Sequence, residues 1–207
     1  MRLTRRGLLA SSLAAVGVVG VAAVTGCRSA ASTGSASSAE PTDVDVGFLA
    51  DMTTHHGQAL VLCQRVVGAD TGASVQAAAA EVLQNQSIEV GMMRAWLADW
   101  GRSTAPPDTA MAWMGLCGRD DLAGGGMPGL ATDEELLALS TADGAAKGRL
   151  WLELMRAHHE GGVEMASVAS AWASADKVRR LASTQVEVQG YEITMYDRLL
   201  ATTYASA

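Results

Sequence analysis

Apolar residues recur at helical spacing along four long stretches of this 207-residue chain, and turn residues separate the stretches. The stretches cover about 43–67, 73–100, 144–172 and 177–203. Two glycines within 68–72 end the first stretch, and Gly101 ends the second. Thr132 begins a Thr-x-x-Glu capping box, which predicts a further short helix over 133–140. The pattern therefore predicts four long helices and one short one.

Composition supports a helical fold. Ala, Leu, Val and Met supply most of the apolar residues, while aromatic residues make up only 4% of the chain. Because Ala, Leu and Met favour helices and aromatic residues favour strands, we expect an all-α protein. Residues 101–142, which contain proline and a Gly-Gly-Gly run, form an irregular connection between the second and third long helices.

The two halves of the chain share landmarks at one constant offset of 103 residues. Each half has a Met-x-x-His-His sequence on its first long helix and a Gln-x-x-Glu-x-x-Met sequence on its second. The matching pairs are Met52 with Met155, His55 with His158, His56 with His159, Gln86 with Gln189, Glu89 with Glu192, and Met92 with Met195. We interpret this as a duplication of one helical hairpin, which predicts a four-helix bundle over 43–205 with a crossover connection at about 101–142.

All four histidines of the chain lie in the two Met-x-x-His-His sequences, which favours a metal site. On a helix, residues three and four apart share a face, so methionine and histidine form one patch in each half. Thioether and imidazole ligands favour Cu(I), although another transition metal remains an alternative. The predicted metal ligands are Met52, His55, His56, Met155, His158 and His159. The opposing interpretation is that the histidines only satisfy polar groups in a bundle core.

Six further residues are candidates for additional ligands or for supporting contacts: Glu89, Met92, Glu192, Met195, Met165 and Cys63. The two halves differ here, because Leu62 and Cys63 stand where the second half has Met165 and Ala166. Three roles are open to Cys63 and Cys117: they form a disulfide, they are two buried free thiols, or one of them is a soft metal ligand.

The N-terminal residues have the layout of an export signal. Residues 1–26 contain a twin-arginine-like sequence and an apolar run, and Val-Thr-Gly-Cys ending at Cys27 resembles a bacterial lipobox. We therefore predict a lipid on Cys27, a flexible tether over 27–42, and attachment to the outer face of the bacterial cytoplasmic membrane. An uncleaved signal anchor is the alternative.

The charge of the chain argues against one class of binding partner. The chain has a net charge of −7 and lacks a block of basic residues after the N-terminus, which argues against nucleic-acid binding. No Ser-His-Asp or Cys-His arrangement stands at a recognisable spacing, so hydrolysis is a poor fit. The expected partners are metal ions and, through the lipid, the membrane; no protein partner is indicated.

The pattern Asp-x-x-Phe-x-x-x-Met-x-x-His-His, followed by Gln-x-x-Glu-x-x-Met, resembles the exported proteins of domain of unknown function family 305 (DUF305). The resemblance covers about residues 43–203. It implies a ferritin-like four-helix bundle, and some members of that family are periplasmic copper-binding proteins linked to copper tolerance. The chain departs from the family pattern at Gly148, where an aspartate is usual, and at Leu62, where a methionine is common.

These observations lead to one main hypothesis and two alternatives. The main hypothesis is an extracytoplasmic metal-binding lipoprotein that binds, buffers or delivers copper. The first alternative is a ferritin-like metal-dependent oxidoreductase, for which Glu89 and Glu192 are the repeated acid/base candidates. The second is a structural or interaction lipoprotein without metal.

Overall fold

The computed structural model describes residues 40–207, which form helices and connecting turns without any β-strand. The long helices are α1 (Asp43–Gln64), α2 (Ala73–Asp99), α4 (Gly144–Trp172) and α5 (Asp176–Ala201); between α2 and α4 lie a 3₁₀ helix (Ala112–Cys117) and the short α3 (Asp133–Thr141). The all-α prediction is confirmed. Across this part of the chain, every helix is too short or too polar to cross a bilayer. The predicted export signal and Cys27 lie outside the described residues.

Two threonine caps begin helices at the positions that the sequence allows. Thr132 Oγ1 accepts a hydrogen bond from the Glu135 backbone N–H (3.2 Å), and the Glu135 carboxylate accepts one from the Thr132 N–H (2.7 Å). Thr42 and Asp45 make the same reciprocal contact at the start of α1. These side chains satisfy N–H groups that a helix leaves unpaired in its first turn, so both helix starts are locally encoded.

The four long helices form a bundle of two hairpins, α1–α2 and α4–α5, as expected. Helices α1 and α4 pack against each other at the centre in antiparallel directions. The start of α1 lies beside the end of α4, where Asp45 Oδ1 accepts a hydrogen bond from the Ala175 backbone N–H (2.9 Å). Helices α2 and α5 flank this pair and stand apart from each other, with a groove of about 550 Å³ between them.

The interior consists of two hydrophobic clusters with a polar layer between them. The methionine-rich cluster includes Phe48, Leu49, Met52, Met93, Leu97, Met111, Met114, Met165 and Leu181. The second cluster includes Leu62, Cys63, Val75, Leu152, Trp151, Met155 and Tyr196. The polar layer contains His55, His56, Gln86, Glu89, His158, His159, Gln185, Gln189 and Glu192, which lie between the two clusters along all four helices. The bundle therefore holds a layer of polar side chains at mid-height, and all of them are buried except Glu89, which is half-buried.

The crossover connection is fastened to α1 by a buried carboxylate. Asp51 Oδ2 accepts hydrogen bonds from the Met111 backbone N–H (2.7 Å) and from the Trp113 indole N–H (2.9 Å). Met111 adopts a left-handed conformation with φ +62°, which is costly for a residue with a side chain. Because Met111 and Met114 are both fully buried, this clamp places two thioethers of the crossover in the methionine-rich cluster.

The crossover also covers one side of the polar layer. Residues Pro128 and Gly129 lie directly on α4, and a Cβ added at Gly161 would lie 1.9 Å from the Pro128 carbonyl oxygen. Gln58 of α1 holds the next part of the segment, because its amide donates to the Ala131 carbonyl (2.9 Å) and accepts from the Ala131 N–H (2.7 Å). Gly161 is thus needed for close approach, whereas Gly190 has open space around it.

Replacing Gly161 with alanine should destabilise the protein by about 2 kcal/mol, because the added methyl group forces the Pro128 backbone off α4. Gly190→Ala is the matched control. That position is also helical and has no neighbouring atom within 4 Å, so alanine should stabilise α5 by about 1 kcal/mol. Urea unfolding of both variants measures the two effects, and equal changes in the free energy of unfolding would contradict the close packing of the crossover.

Candidate metal centre

The four histidines meet at the centre of the bundle. The rings of His55 and His158 stack across the α1–α4 contact, with centroids 3.8 Å apart. His56 and His159 lie on either side, with centroids 6.4 Å and 6.1 Å from their sequence neighbours. All four side chains are fully buried. The two Met-x-x-His-His sequences therefore supply one continuous imidazole cluster rather than two separate ones.

Each histidine has a partner for its Nε2 atom. His55 Nε2 donates to the Pro128 carbonyl (3.1 Å), and His158 Nε2 donates to the His55 carbonyl (2.9 Å). His56 Nε2 pairs with Glu89 Oε2 (2.8 Å), and His159 Nε2 pairs with Glu192 Oε2 (2.7 Å). Carbonyl and carboxylate oxygens only accept hydrogen bonds, so each of these four Nε2 atoms carries a proton.

The Nδ1 atoms are the unsatisfied atoms of the cluster. In all four histidines Nδ1 is buried and lacks a hydrogen-bond partner among the described residues. In a neutral ring whose proton is on Nε2, Nδ1 carries a lone pair. A buried polar atom without a partner costs about 1–3 kcal/mol, and four such atoms in one cluster need an explanation. A metal ion is a ligand that would satisfy them, since neutral imidazole binds metals through either nitrogen.

Burial keeps the two central histidines neutral. Desolvation, together with the nearby His56 and His159, lowers the pKa of His55 to about 3. Desolvation and the facing His55 ring lower the pKa of His158 well below its ordinary value. Both rings are therefore unprotonated at neutral pH, which is the state that metal ligation requires.

Glu89 and Glu192 orient the outer histidines. The Glu192 side chain is almost completely buried, while 21% of the Glu89 side chain is exposed towards the groove between α2 and α5. Burial alone would raise the pKa of Glu89, but hydrogen bonds from His56 and Gln185 bring it below its ordinary value. A carboxylate on the far nitrogen of a ligating histidine is a common arrangement in metal sites, where it fixes the ring and increases its basicity.

The methionines are distributed unequally between the two ends of the histidine cluster. Met52, Met93, Met111, Met114 and Met165 are buried in the methionine-rich cluster, with Met92 and Met127 packed against it. Met155 is buried in the second cluster, and Met195 packs against that cluster. Met52 therefore shares a cluster with Met165 of the other hairpin, because α1 and α4 are antiparallel. The soft ligands of the described chain are concentrated at one end.

The two cysteines are free thiols in different clusters, so the disulfide alternative is wrong. Burial, with Glu192 nearby, raises the pKa of Cys63 to about 12. A thiol with so high a pKa stays protonated and is a poor ligand, because a metal binds the thiolate. Cys63 lies in the same cluster as Met155, at the end that has few methionines.

Across residues 40–207, no group of three or more His, Cys, Asp or Glu side chains is arranged to hold a metal ion by itself. The imidazoles would have to be completed by thioethers, which is the combination that suits a soft ion. The sequence pattern identified the histidines, the repeated glutamates and the methionines of this region. It did not identify Gln185, because Val82 occupies the equivalent position in the first half. Gln185 donates to Glu89 Oε2 (2.6 Å) and thereby joins the two hairpins.

The chain is similar in sequence and in fold to proteins of one family. Residues 45–200 match the family model described as domain of unknown function DUF305. A DUF305 protein from Streptomyces coelicolor, named as a candidate secreted protein, is 37% identical, with a TM-score of 0.70 over 76% of this chain and 92% of that one. A DUF305 fragment from Deinococcus radiodurans is 26% identical, with a TM-score of 0.65 over 79% and 99% of the two chains. No sequence among the curated proteins matches the chain.

The fold is also that of CopM, a protein whose structures include a Cu(I)-bound form. This form is 22% identical to the chain, with a TM-score of 0.60 over 77% of the chain and 97% of CopM. At that identity the likeness concerns the fold alone.

Proposed function

We propose that this chain, which belongs to the DUF305 family, is an exported copper-binding protein that buffers or delivers Cu(I) outside the cytoplasm. The observation that carries the proposal is the set of four buried imidazoles, each with an unpartnered Nδ1. Histidines that only satisfied polar groups in a core would have both nitrogens paired. The buried Nδ1 lone pairs therefore support a ligand-binding role over a purely structural one.

The thioethers support Cu(I) as the cargo. Soft sulfur ligands select Cu(I), while imidazole accepts several metals, so the methionines decide the preference. We propose that the ion binds at the methionine-rich end of the histidine cluster, with Met52 and Met165 as ligands in addition to the imidazoles. Met155 and Cys63 occupy the other end, which offers fewer sulfur atoms and a protonated thiol.

The metals bound by CopM, which has the same fold, support this choice of metal. CopM has been crystallised in Cu(I)-bound, Cu(II)-bound and Ag-bound forms. Ag(I) and Cu(I) are both soft ions, which bind the same kinds of ligand. We propose binding rather than oxidation because Glu89 and Glu192 are both engaged in hydrogen bonds that orient histidines.

The site of action that we propose is the outer face of the cytoplasmic membrane. The support is the N-terminal pattern, in which the twin-arginine-like signal precedes a lipobox cysteine, Cys27. A lipid on Cys27 would hold the bundle near the membrane through the tether at 27–42. Mass spectrometry of the protein purified from bacterial membranes tests this, since a mature chain beginning at a lipidated Cys27 is the expected product.

The copper proposal is tested by titrating the full-length chain with Cu(I) in competition with a colorimetric Cu(I) chelator. The chain should withdraw Cu(I) from the chelator. Replacing Met52 and Met165 together by leucine, which has similar volume, should weaken binding at least about tenfold, because it removes the sulfur ligands and preserves the packing. Met155→Leu is the matched control at the other end and should leave the affinity almost unchanged.

Two outcomes would contradict the proposal. A wild-type chain that leaves the Cu(I)–chelator complex intact does not bind Cu(I) at a useful affinity. Equal weakening by Met155→Leu and by the Met52/Met165 double substitution would show that the methionine-rich end is not the preferred position.

A further inference from the structure

An ion that reaches the histidine cluster has to cross the wall of the bundle, because all four imidazoles are fully buried. The crossover covers the face formed by α1 and α4, where the Pro128 carbonyl accepts a hydrogen bond from His55 and lies against Gly161. The face formed by α2 and α5 carries the groove of about 550 Å³. That volume lies in the range of small-molecule sites, so a metal ion with a small carrier ligand can enter it.

The floor of this groove is the wall of the methionine-rich cluster. Met92, Trp96 and Leu181 line the groove, and all three belong to that cluster or pack against it. In the described chain, the second cluster contributes no residue to the lining of the groove. The groove therefore leads to the end of the bundle at which we place the ion, and Met92 offers a half-buried thioether on its wall.

Glu89 links the groove to the imidazoles. It lines the groove, 21% of its side chain is exposed, and its Oε2 accepts a hydrogen bond from His56 Nε2 (2.8 Å). Its counterpart Glu192 makes the same contact to His159, but it is almost completely buried and does not line the groove. Of the two duplicated carboxylate–histidine pairs, the Glu89 pair is thus the one that solvent reaches through the groove.

Two contacts across the groove tie α2 to α5 without closing it. The Lys177 ammonium lies over the rings of Trp96 and Trp100, 4.9 Å and 4.2 Å from their centroids, at one end of the groove. Gln185 donates to Glu89 Oε2 (2.6 Å) at the level of the polar layer. Because these contacts are made by side chains that reach across, the two helices are held together while the space between them stays open.

We propose that the groove between α2 and α5 is the route by which Cu(I) enters and leaves the buried site. The ion first meets the Met92 thioether and then passes the Glu89–His56 contact. The step is an exchange of ligands, in which Cu(I) keeps its oxidation state and its carrier ligand is left outside. This inference rests on the proposed function, because the ion that follows the route is the Cu(I) of that site.

A route differs from a binding site in what its obstruction changes. Obstruction raises the barrier for entry and for exit equally, so both rates fall while their ratio, the dissociation constant, stays the same. Thr184→Trp places an indole in the groove, because Thr184 is an exposed residue of its α5 wall. Ser183→Trp is the matched control, since the neighbouring Ser183 is also exposed but does not line the groove.

Stopped-flow mixing of the metal-free, full-length chain with the coloured Cu(I)–chelator complex, under anaerobic conditions, measures loading. The protein concentration is kept in the range where the rate depends on it, so that entry into the chain is the slow step. Mixing the loaded chain with excess chelator measures release. Thr184→Trp should slow loading and release at least about tenfold and leave the dissociation constant within about twofold of wild type. Ser183→Trp should keep the wild-type rates.

A second obstruction from the facing helix is Ile88→Trp, since Ile88 lines the groove from α2 and is exposed. Wild-type rates in both groove variants would overturn the route and place entry elsewhere. Equally slow rates in Ser183→Trp would also contradict it, because the effect would then not come from the groove. A dissociation constant that changes in the groove variants would make the groove part of the binding site instead of a route.

These failures are distinguishable from a failure of the copper proposal. All of them are changes or constancies among variants of a chain that binds Cu(I), and they leave the equilibrium titration of the wild-type chain unaffected. A wild-type chain that does not withdraw Cu(I) from the chelator overturns the copper proposal, and the route falls with it.

Discussion

Replacing His55, His56, His158 and His159 together by glutamine should weaken Cu(I) binding by about a thousandfold, or about 4 kcal/mol. Glutamine carries an N–H donor near the position of the imidazole Nε2, so the contacts to Pro128, Glu89 and Glu192 can persist. It has no nitrogen at the position of Nδ1, and its amide oxygen is a hard ligand that suits Cu(I) poorly. The substitution therefore removes the ligand atoms while it preserves most of the hydrogen bonds that hold the polar layer.

The measurement is the same competition against a Cu(I) chelator, with far-UV circular dichroism to show that the variant keeps its helices. An alanine variant is less informative, since it removes the ligands and the supporting hydrogen bonds at once and leaves cavities. If the glutamine variant binds Cu(I) as tightly as wild type, then the four Nδ1 atoms are not ligands and the methionines alone hold the ion.

The sequence predicted the helices well because their signals are local. Thr132 with Glu135 is a capping box that four residues define, and the structure begins α3 there. The histidines were recognised for the same reason, since Met-x-x-His-His is a short pattern on one helix. Their partners Glu89 and Glu192 were found through spacing that recurs in both halves.

The contacts between hairpins could not be predicted in this way. The sequence pattern grouped Met52 with the histidines of its own helix, but the antiparallel packing of α1 and α4 places Met52 in one cluster with Met165. The Asp51 clamp joins residues 60 apart in sequence, and nothing near Asp51 distinguishes it from an ordinary surface carboxylate. Such contacts depend on how the helices pack, which periodicity along one helix does not contain.

The free energy of unfolding of the metal-free protein should decrease as the pH falls from about 6.5 to about 4.5, because the central histidines are buried in their neutral form. The pKa of His55 is about 3 in the folded protein and 6.5 in the unfolded chain. Between these values the unfolded chain binds a proton that the folded protein does not, so lowering the pH favours unfolding. His55 alone contributes a loss on the order of 3 kcal/mol over these two pH units, and His158 acts in the same direction.

The carboxylates allow this effect to be assigned to the histidines. The pKa of Glu89 is below its ordinary value of 4.5, so the stability that Glu89 contributes is lost only at lower pH. Burial raises the pKa of Asp51 despite its hydrogen bonds to Met111 and Trp113, so the folded protein takes up that proton first. Asp51 therefore opposes the loss of stability on acidification and cannot be its cause.

Urea unfolding at a series of pH values between 7 and 4.5, at constant ionic strength and with metal removed, measures how steeply the free energy of unfolding depends on pH. The double variant His55→Gln with His158→Gln should show a much flatter dependence, because glutamine does not titrate and can still donate to the Pro128 and His55 carbonyls. The control variant Gln84→Leu, at an exposed position of α2, should keep the wild-type pH dependence. An equally steep slope in the double variant would mean that groups other than the stacked pair control acid stability. The flattened slope would instead identify the His55–His158 stack as a pair kept neutral by burial, which is the condition under which both Nδ1 atoms stay available to a metal ion.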